Sequence, residues 1–96
     1  MFLESWNEYV GYNCNGQHGA TNIIHPKQDG TGSLDTCKSE CSNHPECSGI
    51  VYRKDGFCYL RKNIQLISCQ SGTSTFNVYI PTGNLFAHLM MLYDLL

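Results

Sequence analysis

Hydrophobic and polar positions alternate in three short stretches of this chain and recur at helical spacing in one. Phe76, Asn77, Val78, Tyr79 and Ile80 alternate as a half-buried strand requires. Residues 48–53 and 57–61 form two further β-rich runs. The Lys54-Asp55-Gly56 segment joins them, and an Asp-Gly pair in that place is a strong hairpin signal. Alternation through the second run puts Cys58 and Leu60 on one face, with Phe57, Tyr59 and Arg61 on the other.

The helical stretch opens at Ser33, whose hydroxyl can accept a free amide of the first turn, while Asp35 suits the positive end of the helix dipole. Asn43-His44-Pro45 ends it near Ser42. Leu34, Cys37 and Cys41 fall three and four residues apart, so they share a face that must be buried. Lys38, Ser39 and Glu40 occupy the flanks and the far side, as in an amphipathic helix lying on a sheet. Upstream, Gln28-Asp29-Gly30-Thr31-Gly32 reads as a loop. The first third is polar, with Asn13, Asn15, Gly16 and Gly19 breaking any long period. Trp6, Tyr9, Val10 and Tyr12, then Ile23 and Ile24, predict two short strands there.

These elements imply an α+β class: a small domain over residues 6–81, with one helix packed on a sheet. The cysteine-bearing part, about Trp6 to Pro81, lies near the lower limit for a self-sufficient core, so covalent staples are expected. The composition, 42% hydrophobic and 15% charged, is that of a globular protein rather than a disordered or collagen-like one. A net charge of -2 argues against a dedicated nucleic-acid binder, which needs a strong cationic excess to neutralise phosphates.

Six cysteines, at positions 14, 37, 41, 47, 58 and 69, supply the staples. An even count in so short a chain reads as a disulfide framework and places the protein in an oxidising compartment, outside the cell or at its surface. Cys58 faces the helix and Cys37 and Cys41 face the sheet. One set consistent with that placement joins Cys37 to Cys58, Cys41 to Cys47 and Cys14 to Cys69. Spacing alone leaves fifteen connectivities open.

Three segments together resemble the PAN/apple domain family: Ser33-Leu34-Asp35-Thr36-Cys37-Lys38-Ser39-Glu40-Cys41, then Pro45-Glu46-Cys47-Ser48-Gly49-Ile50-Val51-Tyr52, then Phe57-Cys58-Tyr59-Leu60-Arg61, with a late Cys69 before the closing strand. The resemblance covers roughly residues 6–80. It implies one helix on a curved antiparallel sheet, two core disulfides and, as in the apple subset, a third joining the terminal strands; that pattern maps onto the same three pairs. Ile50 stands where many members carry an aromatic residue. Members are binding modules within larger extracellular adhesion proteins, proteases or receptors, with ligands from glycans to proteins. The implied role is therefore extracellular recognition or adhesion. The partner is a glycan or an extracellular protein, or the domain is a spacer with no ligand of its own.

The hairpin carries the strongest local chemistry. Arg53, Lys54, Arg61 and Lys62 are four of the six basic residues and lie within ten positions, opposed there only by Asp55 and interleaved with Tyr52, Phe57 and Tyr59. Cations beside aromatic faces can hold acidic or sulfated sugars, through charge-assisted bonds to the anion and stacking on the apolar sugar face. Arg53, Lys54, Phe57, Tyr59, Arg61 and Lys62 are thus the candidate ligand-binding set. The competing view is a solvated hairpin whose charges blunt a sheet edge.

Other constellations carry less. Cys41-x-x-His44-x-x-Cys47 offers zinc donors, but no second cluster follows and disulfides use the thiols. Asp29, Thr31, Ser33, Asp35 and Glu40 have the spacing of a calcium loop, yet Leu34 occupies the position where such a loop needs glycine. Gly16-Gln17-His18-Gly19 reads as a turn. No metal and no cofactor is expected. Oxidised cysteines offer no thiolate, no Gly-x-Ser-x-Gly elbow occurs, and His18, His25, His44 and His88 are scattered, so no catalytic residue is assigned.

Both ends stand apart from this domain. Residues 1–6 lack the basic and apolar regions of a signal peptide, which leads to the expectation of a piece from a longer multidomain chain. Residues 82–96 form an apolar tail, with Leu85, Leu89, Leu92 and Leu96 at helical intervals and Phe86, Met90 and Tyr93 alongside. It is expected to be helical and outside the core. Its almost uniformly apolar stretch of twelve residues, 85–96, spans about 18 Å against roughly 30 Å of hydrocarbon, too little to cross a bilayer. Membrane attachment is expected only through neighbouring segments.

Overall fold

The computed structural model describes residues 5–23 and 32–82. Within them the chain forms strands β1 (Trp6–Val10) and β2 (Thr21–Asn22), helix α1 (Leu34–Ser42), strands β3 (Gly49–Arg53) and β4 (Cys58–Lys62), a 3-10 turn (Leu66–Ser68) and strand β5 (Phe76–Pro81). The five strands make one antiparallel sheet in the order β1-β5-β3-β4-β2. The fold is a small disulfide-rich α+β arrangement. Of the two early strands, the second is only two residues long, with Ile23 just beyond it. Residues 28–31 of the expected loop, with the calcium-spaced Asp29 and Thr31, and His25, His88 and the tail from residue 83 lie outside the described residues, as does Ile24.

Helix α1 begins where its cap dictates. The Thr36 amide donates to Ser33 Oγ at 3.1 Å, and the Asn43 amide closes the far end on Ser39 O at 3.1 Å. The β3–β4 turn closes through the Gly56 amide, which donates to Arg53 O at 2.8 Å with Gly56 at φ +101.

Three disulfides join Cys14 to Cys69, Cys37 to Cys58 and Cys41 to Cys47, the pairs that the resemblance implies. Both faces of the sheet are covered. Helix α1 lies across β3 and β4, where Cys37 and Cys41 pack with Ile23, Ile50, Cys58, Leu60 and Tyr79. On the opposite face Val51, Val78 and Ile80 pack with Cys14, and Tyr9, Tyr12, Tyr59, Ile64, Leu66 and Phe76 close around them. That second cover is irregular chain. The segments 11–20 and 63–75 are tied together by Asn13 and Gln70, which exchange backbone bonds of 2.8 and 3.0 Å, and by the Gln65 amide, which donates to Gly19 O at 2.7 Å. Gly19 has φ +76, and a Cβ there would come within 2.6 Å of Gln65 O, so the close approach of the two segments depends on glycine.

Candidate functional site

The hairpin's side chains on the face away from the helix form a row of flat groups. Arg53 and Phe57 meet across the hairpin end, and the guanidinium carbon of Arg53 lies 4.2 Å from the centre of the Phe57 ring. The Phe57 and Tyr59 rings follow, nearly parallel at 14° with centres 6.5 Å apart. Arg61 completes the row, its guanidinium carbon 5.2 Å from the Tyr59 ring centre. Alternation along the strand produces this order, because residues 57, 59 and 61 leave β4 on one side.

The four cations differ sharply in availability. Arg53 donates through Nε to Asp55 Oδ1 at 2.6 Å and through Nη2 to Asp55 Oδ2. That contact raises the Arg53 pKa and holds the Asp55 carboxyl below its ordinary value, hydrogen bonding being the main cause in both. Lys62 Nζ donates to Glu46 Oε2 at 3.1 Å. Lys54 is exposed, and among the described residues no carboxylate pairs with its ammonium.

Arg61 departs from the expectation that it faces a ligand. Only 7% of it is exposed. Its Nε donates to Cys14 O at 2.8 Å and its Nη1 to Leu60 O at 3.0 Å, and burial is the main influence on its pKa, lowering it. The physical reason is the second cover: the chain around Cys14 lies over this end of β4, so a side chain directed away from the helix still points into packed structure. The open part of the candidate set is therefore Lys54 with the half-buried Arg53, Phe57 and Tyr59, and Lys62 at a distance along the strand.

The remaining candidates fall as follows. Cys41 and Cys47 are bonded to each other, and His44 Nδ1 accepts the Glu46 amide at 3.2 Å, so the three potential zinc donors have other partners. Gly16, Gln17 and His18 form a closed turn, with the Gln17 amide donating to Asn15 Oδ1 at 2.9 Å and the Gly16 amide to Asn22 Oδ1 at 3.0 Å. Sequence patterning does not foresee one cluster on the helix side. There Lys38 Nζ stands 5.7 Å from the Trp6 ring centre and 5.1 Å from that of Tyr79, while the Tyr79 hydroxyl donates to Glu8 Oε2 at 2.7 Å. Burial, then Glu8, pushes the Tyr79 pKa up. Its members are 73 residues apart at most, and no local motif relates them.

Comparison of the chain with protein-family models, curated proteins and solved structures returns no match.

Proposed function

We propose that this domain is a PAN/apple-like extracellular recognition module and that its hairpin binds carbohydrate. Three disulfides in so small a fold are typical of extracellular proteins, which supports the compartment. The observation that carries the ligand class is the Phe57–Tyr59 pair, two nearly parallel rings with Arg53 over Phe57, on a hairpin whose exposed Lys54 pairs with no carboxylate among the described residues. Partly exposed rings offer a stacking surface for the apolar face of a sugar, and the Lys54 ammonium suits a single anionic substituent better than a densely sulfated polymer. Protein adhesion through another surface is the second reading. It rests on Ile67, 95% exposed on the 3-10 turn beside Cys69, as a fixed apolar anchor.

A glycan array probed with the full chain separates the two. Binding to sugars with one carboxylate or sulfate is expected, with Lys54→Ala and Phe57→Leu each weakening it roughly tenfold and leaving the melting temperature nearly unchanged. An array without bound sugars, or binding indifferent to both substitutions, defeats the glycan reading.

A further inference from the structure

Strand β1 is the outer strand on one side of the sheet, and its backbone is arranged to accept another strand. The Thr82 amide donates to Ser5 O at 2.8 Å and the Gly11 amide to Phe76 O at 3.0 Å, so the odd-numbered positions of this segment direct their backbone groups at β5. In an antiparallel ladder the intervening residues then point theirs the other way. Trp6, Glu8 and Val10 thus present amides and carbonyls along an edge that pairs with no other strand among the described residues. Natural edges of this length usually carry a proline, a bulge or an inward lysine against pairing. This one carries a single charge, Glu8, which the Tyr79 hydroxyl holds, and β2, the outer strand on the other side, is only two residues long.

We propose that β1 pairs antiparallel with β1 of a second copy of this chain, centred on Glu8. The strand is self-complementary about that point. Trp6 falls opposite Val10 of the second copy, and Asn7 opposite its Tyr9, and all six outward-facing residues of the two strands join hydrogen-bonded pairs. Val10 is 66% exposed in the single chain, and a partner's Trp6 covers it. The two central carboxylates do not have to meet, because the Tyr79 hydroxyl holds each Glu8 toward β5 and away from the edge. Helix α1 packs on β3 and β4 and not on β1.

Sedimentation equilibrium of the full chain, combined with hydrogen exchange at low and high concentration, tests this. A reversible dimer is expected. The amides of Trp6, Glu8 and Val10 should gain protection as concentration rises, while those of Asn7 and Tyr9, already bonded to β5, should not change. Val10→Lys, at an exposed position, should leave the melting temperature intact and weaken the dimer roughly tenfold or more. A chain that stays monomeric, a dimer whose affinity survives Val10→Lys, or concentration-dependent protection that spares the even-numbered amides overturns the proposal.

Discussion

The two faces of the sheet are covered by different means. On one, a helix with its own cap and internal hydrogen bonds lies across β3 and β4, and two disulfides fasten it over short sequence distances, 21 and 6 residues. On the other, irregular segments with no more regular structure than one 3-10 turn are held by one disulfide across 55 residues, a few backbone bonds and a buried arginine. The first cover is organised locally and then attached. The second has little local order, and its stability depends on ties between distant parts of the chain.

That contrast predicts unequal costs of removing the ties. In the chain-entropy account a cross-link contributes more as the loop it closes lengthens, about 4 kcal/mol for Cys14–Cys69 against about 2 kcal/mol for Cys41–Cys47. Replacing both Cys14 and Cys69 by serine should produce the largest loss, read as a shift of the urea midpoint. It should also abolish protection of the Asn13 and Gln70 amides before global unfolding. Equal losses for the two serine pairs would remove the distinction between the covers.

Arg61 gives the next effect. Its Nε is the hydrogen-bond donor found for Cys14 O among the described residues, whereas Leu60 O also accepts the Ile23 amide at 3.3 Å. Arg61→Met keeps a long apolar stem and leaves the Cys14 carbonyl unsatisfied, a loss of about 2 kcal/mol. The damage should concentrate in segments 11–20 and 63–75, with the amides of α1 keeping their protection. A glycan-binding defect in this variant that disappears when it is measured well below its melting temperature would mark Arg61 as a support of the fold rather than a contact.

The same division explains what was readable in the sequence. Helix α1, its Ser33 cap and the Asp55-Gly56 turn come from short-range chemistry, so adjacent residues announce them. The second cover has no such periodicity: its partners, Asn13 with Gln70 and Gly19 with Gln65, are related only through the folded chain. One signal was nevertheless present. Ile50-Val51 and Val78-Tyr79-Ile80 are consecutive apolar residues, and a strand apolar on both sides is buried on both sides. Taken seriously, those runs place Arg61 beneath a second layer instead of on an open basic face. The candidate site fared accordingly. Phe57 and Tyr59 lie in the order that alternation gives, but the ion pairs of Arg53 and Lys62 depend on how the hairpin curls back to Asp55 and on the helix exit at Glu46, neither of which alternation encodes.

The smallest predicted effect tests the local cover. Ser33 Oγ accepts the Thr36 amide and lies 2.9 Å from Thr36 Oγ1, so Ser33→Ala exposes one free amide at an accessible helix end. Water can replace part of that bond, and the loss should be about 1 kcal/mol. Because α1 is ordered by its own cap and ladder, exchange should quicken in its first turn while Asn13 and Gln70 on the far face remain as protected as before, once the global change is subtracted. Were the far face to loosen in step with the helix, the two covers would form one cooperative unit, and the sheet between them would transmit the loss rather than insulate one side from the other.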